Sequence, residues 1–76
     1  MTLDKLSAGQ TARITEICGE GPFAQRLMAL GLLEGAEISL TRKAIGGDPI
    51  EIEVMGYRLS LRRDEARQIK VTPASE

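Results

Sequence analysis

Few side chains in this sequence could do chemistry, and their spacing narrows what that chemistry could be. The lone cysteine, Cys18, stands between Glu16 and Glu20, so a thiolate and a carboxylate could meet at a transition metal. No histidine is present. That removes the commonest nitrogen ligand for zinc, copper or ferrous iron, and with it the usual general base near neutral pH. A serine or cysteine nucleophile would have to be activated by carboxylates alone, which activate poorly. Glu51 and Glu53 form a carboxylate pair at i, i+2, yet they alternate with Ile50, Ile52 and Val54 as the solvated face of a strand does. Gly46-Gly47 lacks the following Lys-Ser/Thr of a phosphate loop and precedes a strand, not a helix. The chain is therefore read as no enzyme and as carrying no cofactor. Cys18 is expected to be a buried, inert thiol at a strand end, since no second sulfur accompanies it.

Composition limits the partners. At 76 residues the chain is expected to form one domain, 1–76, with a small core and no disulfide to support it. Ten Lys and Arg stand against eleven Asp and Glu, a net charge of −1, and the signs are interspersed. Such a balance supplies no global field toward nucleic acid or anionic lipid. One Phe and one Tyr cannot line a polyproline groove or stack bases. No apolar run has the length of a signal peptide core or of the roughly 20-residue membrane span, so a cytoplasmic location without direct membrane insertion is expected.

Period-two alternation marks the elements that must carry these residues. Ile50 to Val54, Ala36 to Thr41, Tyr57 to Arg62 and Ile69 to Thr72 each read as half-buried strands. Ala12 to Cys18 is a fifth, whose parity changes at Ile17 and so predicts a bulge near Thr15 and Glu16. Gly56 predicts a tight hairpin, Gly46-Gly47-Asp48-Pro49 a longer turn, and Asp64-Glu65-Ala66-Arg67 a helical turn capped by Asp64. Only one segment has helical period: Pro22 suits a first turn, Phe23, Leu27 and Leu30 form a stripe, and Gly31 ends it with Leu32 placed beneath. Five short strands with one short α-helix between the first and second predict a small all-β fold, an SH3-like five-stranded antiparallel barrel. An OB-type barrel is the alternative, with its helix usually later in the chain.

The apolar stripe leaves Met28 about 130° from its centre, pointing outward. With Gln25 and Ala29 it would form a small adaptable surface, flanked by the basic Arg26 and by Arg62 and Arg63, unless Leu33 or the N-terminal segment folds over it. The basic pairs Arg42-Lys43 and Arg62-Arg63 otherwise read as solvated strand ends.

The order of motifs resembles the FeoA family: Leu3-x-x-Leu6-x-x-Gly9, Arg26-Leu27-x-x-Leu30-Gly31-Leu32-x-x-Gly35, Gly47-Asp48-Pro49-Ile50, and Leu61-Arg62-Arg63-x-Glu65-Ala66. The chain departs from the family pattern at Ile45 and Gly46 in the glycine loop and at Glu34. The resemblance implies a cytoplasmic SH3-like accessory protein of bacterial ferrous iron uptake, acting on a membrane Fe2+ transporter that carries a cytosolic GTPase domain. Gln25, Arg26, Met28, Ala29, Arg62 and Arg63 are then the expected partner-binding residues. A transition-metal-responsive domain at Cys18 with Glu16 or Glu20 is the alternative. Weak self-association through sheet edges is a third.

Overall fold

Alternating burial along five short segments produces a curled antiparallel sheet. The structure, a computed structural model, describes residues 1–74. In chain order its elements are β1 (Thr11–Ile17), α1 (Pro22–Ala29), β2 (Glu37–Lys43), β3 (Ile50–Val54), β4 (Tyr57–Leu61), α2 (Arg63–Ala66) and β5 (Ile69–Pro73). The strands lie in the order β4-β3-β2-β1-β5, and every neighbouring pair is antiparallel. One helix falls between the first and second strands, as the SH3-like reading requires.

Inward residues from all five strands make one core: Ala12 and Ile14, Ile38 and Leu40, Ile50, Ile52 and Val54, Leu61, and Ile69 and Val71. Leu27, Leu32 and Ala66 close it from the helical side. The predicted bulge lies in β1, where the register with β5 shifts between Ile14 and Glu16. A second, between Leu40 and Arg42 of β2, was not signalled by parity. There Thr41 Oγ1 donates to Glu51 O at 2.8 Å, satisfying an acceptor at the irregularity.

Three details differ from the sequence reading. Met55 as well as Gly56 has positive φ, 52° and 85°, because a two-residue hairpin loop that follows strand twist needs both central residues left-handed. Asp64 does not cap α2. The cap position is Arg62, whose N–H donates to Glu65 Oε1 at 2.9 Å, while the Arg63 N–H is taken by Asp48 Oδ1 at 3.0 Å. A carboxylate from a distant loop thus satisfies a first-turn donor. Finally, the N-terminus is structural: Leu3–Lys5 form a 3-10 turn, Leu3 and Leu6 are fully buried, and Met1 O accepts the Val71 N–H at 2.8 Å. Thr2 bridges Lys70, so this segment lies along β5.

Candidate functional site

The joint between α1 and β2 is built from main-chain chemistry. Gly21, at φ 65°, precedes Pro22, whose missing N–H costs nothing in a first turn. At the far end Gly31 takes φ 94°, its N–H donates to Met28 O at 3.0 Å, and the Leu32 N–H donates to Leu27 O at 3.0 Å. These are the two bonds of a Schellman cap, and Leu27 and Leu32, which supply its apolar contact, are both fully buried. The cap is also crowded from outside. A Cβ at Gly31 would lie 3.0 Å from Met55 Sδ and 3.3 Å from Tyr57 Oη, so the β3–β4 hairpin packs directly on the cap. At the other end the Phe23 ring lies over Gly19, where a Cβ would collide with it.

What this rigid joint presents is apolar. Met28 is 53% exposed and Leu33 46% exposed. With Ile17, Ala24 and Glu34 they line a surface groove of about 430 Å3. Leu33 thus stands beside Met28 without covering it, and the N-terminal segment lies elsewhere, along β5. Sequence reading did not include Ile17, Ala24, Leu33 or Glu34 in the surface. The parity slip in β1 was the available signal for Ile17, since past the bulge that side chain takes the place opposite Ile69, at the edge of the core.

The six expected partner-binding residues do not form one face. Two residues along a helix turn through about 200°, so Arg26 lies across α1 from Met28. Arg26 forms an ion pair with Glu65, whose other oxygen holds the Arg62 N–H. Gln25 and Ala29 are exposed between these flanks. Arg62 pairs with Asp48 at 3.1 Å, and the Arg63 guanidinium donates to Gly46 O at 3.2 Å. The structure therefore joins Arg26 to α2 through Glu65, ties Arg62 and Arg63 to the β2–β3 loop, and leaves Met28 in the groove.

Cys18 is exposed, not buried. Beyond the β1 bulge its N–H still donates to Gln68 O at 2.7 Å while the side chain is directed outward. Glu16 is engaged with Lys70 at 3.7 Å. Among the described residues no three Cys, Asp or Glu side chains converge as metal ligands. One thiol with a single carboxylate, Glu16 or Glu20, supplies too few donors for a closed transition-metal centre.

A model of the FeoA domain matches residues 1–73. An Fe(2+) transport protein A/Fe(2+) transporter FeoB fusion protein of Porphyromonas gingivalis is 35% identical over 71 residues. That match covers 93% of this chain but only 8% of the fusion's length. The solution structure of FeoA from Chlorobium tepidum superposes with a TM-score of 0.93 at 41% identity, over 99% of this chain and 71% of the other. The crystal structure of Stenotrophomonas maltophilia FeoA, described as a prokaryotic SH3 domain protein and complexed with zinc, superposes at 0.84 and 30% identity, covering 95% and 89%.

Proposed function

The chain belongs to the FeoA family, and from that premise we propose that it is a non-catalytic, cytoplasmic accessory protein of bacterial ferrous iron uptake. It docks through the α1 groove onto the cytosolic GTPase region of the membrane Fe2+ transporter. The fused relative supports the pairing, because a domain similar to this chain is there joined to the transporter in one polypeptide. No helix among the described residues is long and apolar enough to cross a membrane, so the reading assigns passage of Fe2+ to the partner and leaves modulation to this chain.

The observation that carries the reading is the half-exposed Met28 and Leu33 in a groove fixed by the Schellman cap. A side chain held outward by a rigid backbone loses little freedom when covered, so more of its burial energy appears as affinity. Unbranched, polarizable methionine adapts to an uneven partner surface. Titration of the chain against the transporter's isolated GTPase domain, in the GTP and GDP states, is expected to show binding whose affinity differs between the two. Met28→Glu should weaken it by about 2 kcal/mol or more, roughly 30-fold, with the melting temperature nearly unchanged. Unaltered affinity in that variant would remove the groove from the mechanism.

The metal-responsive alternative draws on the zinc complex of the S. maltophilia relative and on the exposure of Cys18. It predicts stoichiometric Fe2+ or Mn2+ binding by calorimetry, lost in Cys18→Ser. The scattered donors favour the protein-docking reading instead.

A further inference from the structure

The two basic pairs, distant in sequence, meet around one loop. Lys43 stands opposite Ile50 and Ile50 opposite Leu61, so Arg42-Lys43 and Arg62-Arg63 finish at the same end of the sheet, on either side of residues 44–49. The acidic groups at this corner are each engaged: Glu51 with Arg42 at 3.4 Å, Asp48 with Arg62 at 3.1 Å, and Asp4 and Asp64 with Arg67 at 3.8 and 3.3 Å. Lys43 and Arg63 instead donate to backbone carbonyls, Asp4 O at 2.9 Å and Gly46 O at 3.2 Å. A carbonyl orients a cation without neutralising it, so both keep their charge. The whole-chain value of −1, which predicts no attraction to anionic lipid, averages over this corner.

Between these cations stands Ile45, 103% exposed, with exposed Ala44 before it and Gly46, at φ 84°, after it. Nothing in the described chain covers it, and the hold of Arg63 on Gly46 fixes the loop just beyond the tip. An apolar tip flanked by cations complements an interface that is apolar inside and anionic at its rim, which is the layering of a lipid headgroup region.

We propose that loop 44–49 docks on an anionic membrane surface, with Ile45 entering the acyl boundary and Lys43 and Arg63 meeting headgroup phosphates. This goes beyond the docking reading above and does not depend on it. One isoleucine and two cations give weak, reversible attachment, each cation contributing about fivefold in partition. Attachment of that strength orients a small protein at the membrane without holding it there.

The chain contains no tryptophan, so Ile45→Trp is a clean reporter. With vesicles of equal parts phosphatidylglycerol and phosphatidylcholine at low salt, its emission should shift to the blue and the protein should co-sediment. Pure phosphatidylcholine should give neither effect, and salt near 1 M, where the Debye length is about 3 Å, should abolish both. Adding Lys43→Gln should lower partition about fivefold, and Met28→Trp should remain unshifted. Absence of a shift with anionic vesicles, an equal shift with neutral ones, or an equal shift from Met28→Trp would overturn the proposal. So would unchanged co-sedimentation of Ile45→Asp with its circular dichroism intact. If vesicles fail to bind and Ile45→Asp weakens association with the GTPase domain, the loop is a protein contact and the lipid reading falls. Because the vesicles hold no protein, the vesicle results with Ile45 and Lys43 variants leave the binding of the α1 groove to the GTPase domain to be tested separately.

Discussion

The α1–β2 joint and the β2–β3 loop both hold apolar side chains out of the core, but by different means. At the joint the restraint is main-chain: two cap hydrogen bonds, a left-handed glycine and the buried pair Leu27 and Leu32 beneath. At the loop it is largely side-chain, with Asp48 receiving α2 and the exposed Arg62 and Arg63 reaching across to it. Main-chain bonds over buried leucines are shielded from water, whereas exposed ion pairs are weakened by solvent and salt. The joint should therefore behave as part of the core, and the loop as a clamp whose strength follows conditions.

Substitution of one left-handed glycine in each region tests this contrast most strongly. Gly31→Ala adds backbone strain and a tight approach to the Met55 sulfur and Tyr57 hydroxyl, which must shift by a few tenths of an ångström, and should cost about 2 kcal/mol. In a domain of this size that lowers the thermal midpoint by roughly 10–20 °C. Gly46→Ala, at φ 84° with nothing within 4 Å of the added carbon, should cost only about 1 kcal/mol. Equal losses in thermal melts would show that the hairpin does not press on the cap.

Asp48→Ala comes next. It leaves the Arg63 N–H without its acceptor and Arg62 without its ion pair, and should cost about 1 kcal/mol, with Asn recovering the hydrogen-bonded part. The recovered part should resist salt and the remainder should not, which chemical denaturation at two ionic strengths will separate. Arg26→Gln should give the smallest effect. Its pair with Glu65 is half-exposed on the arginine side, and such pairs contribute only a few tenths of a kcal/mol. A loss comparable to that of Asp48→Ala would mean that α1 is held by α2 and not by its own cap.

Legibility in the sequence followed the same division. Strands, the β1 bulge, the helix and its Schellman cap were readable because each follows from residues a few positions apart. Alternation sets which side chains of β3 are inward, and Gly31 stops α1 whatever lies around it. The opposite placement of Arg26 and Met28 was also readable, since it needs only the helical pitch. The exposure of Cys18 was legible too, since the predicted β1 bulge resets which side of the strand faces the core. Two features were not. Asp48 caps α2 in place of Asp64, a substitution of one carboxylate for another that no local pattern could specify. Leu3 and Leu6, in a segment without strand alternation, are buried because the N-terminus lies along β5.

By itself, the sequence determined the strand faces, the single helix and its abrupt end, because backbone propensity and the spacing of apolar residues act over one or two turns of chain. Only the tertiary structure decided that Ile17, Ala24, Met28 and Leu33 share a groove, that Arg26 pairs with Glu65 of α2, and that two basic pairs flank the loop bearing Ile45. Those outcomes depend on strand order and register, in which small free-energy differences among many long-range contacts select one arrangement, and net charge or local period carries no record of that choice.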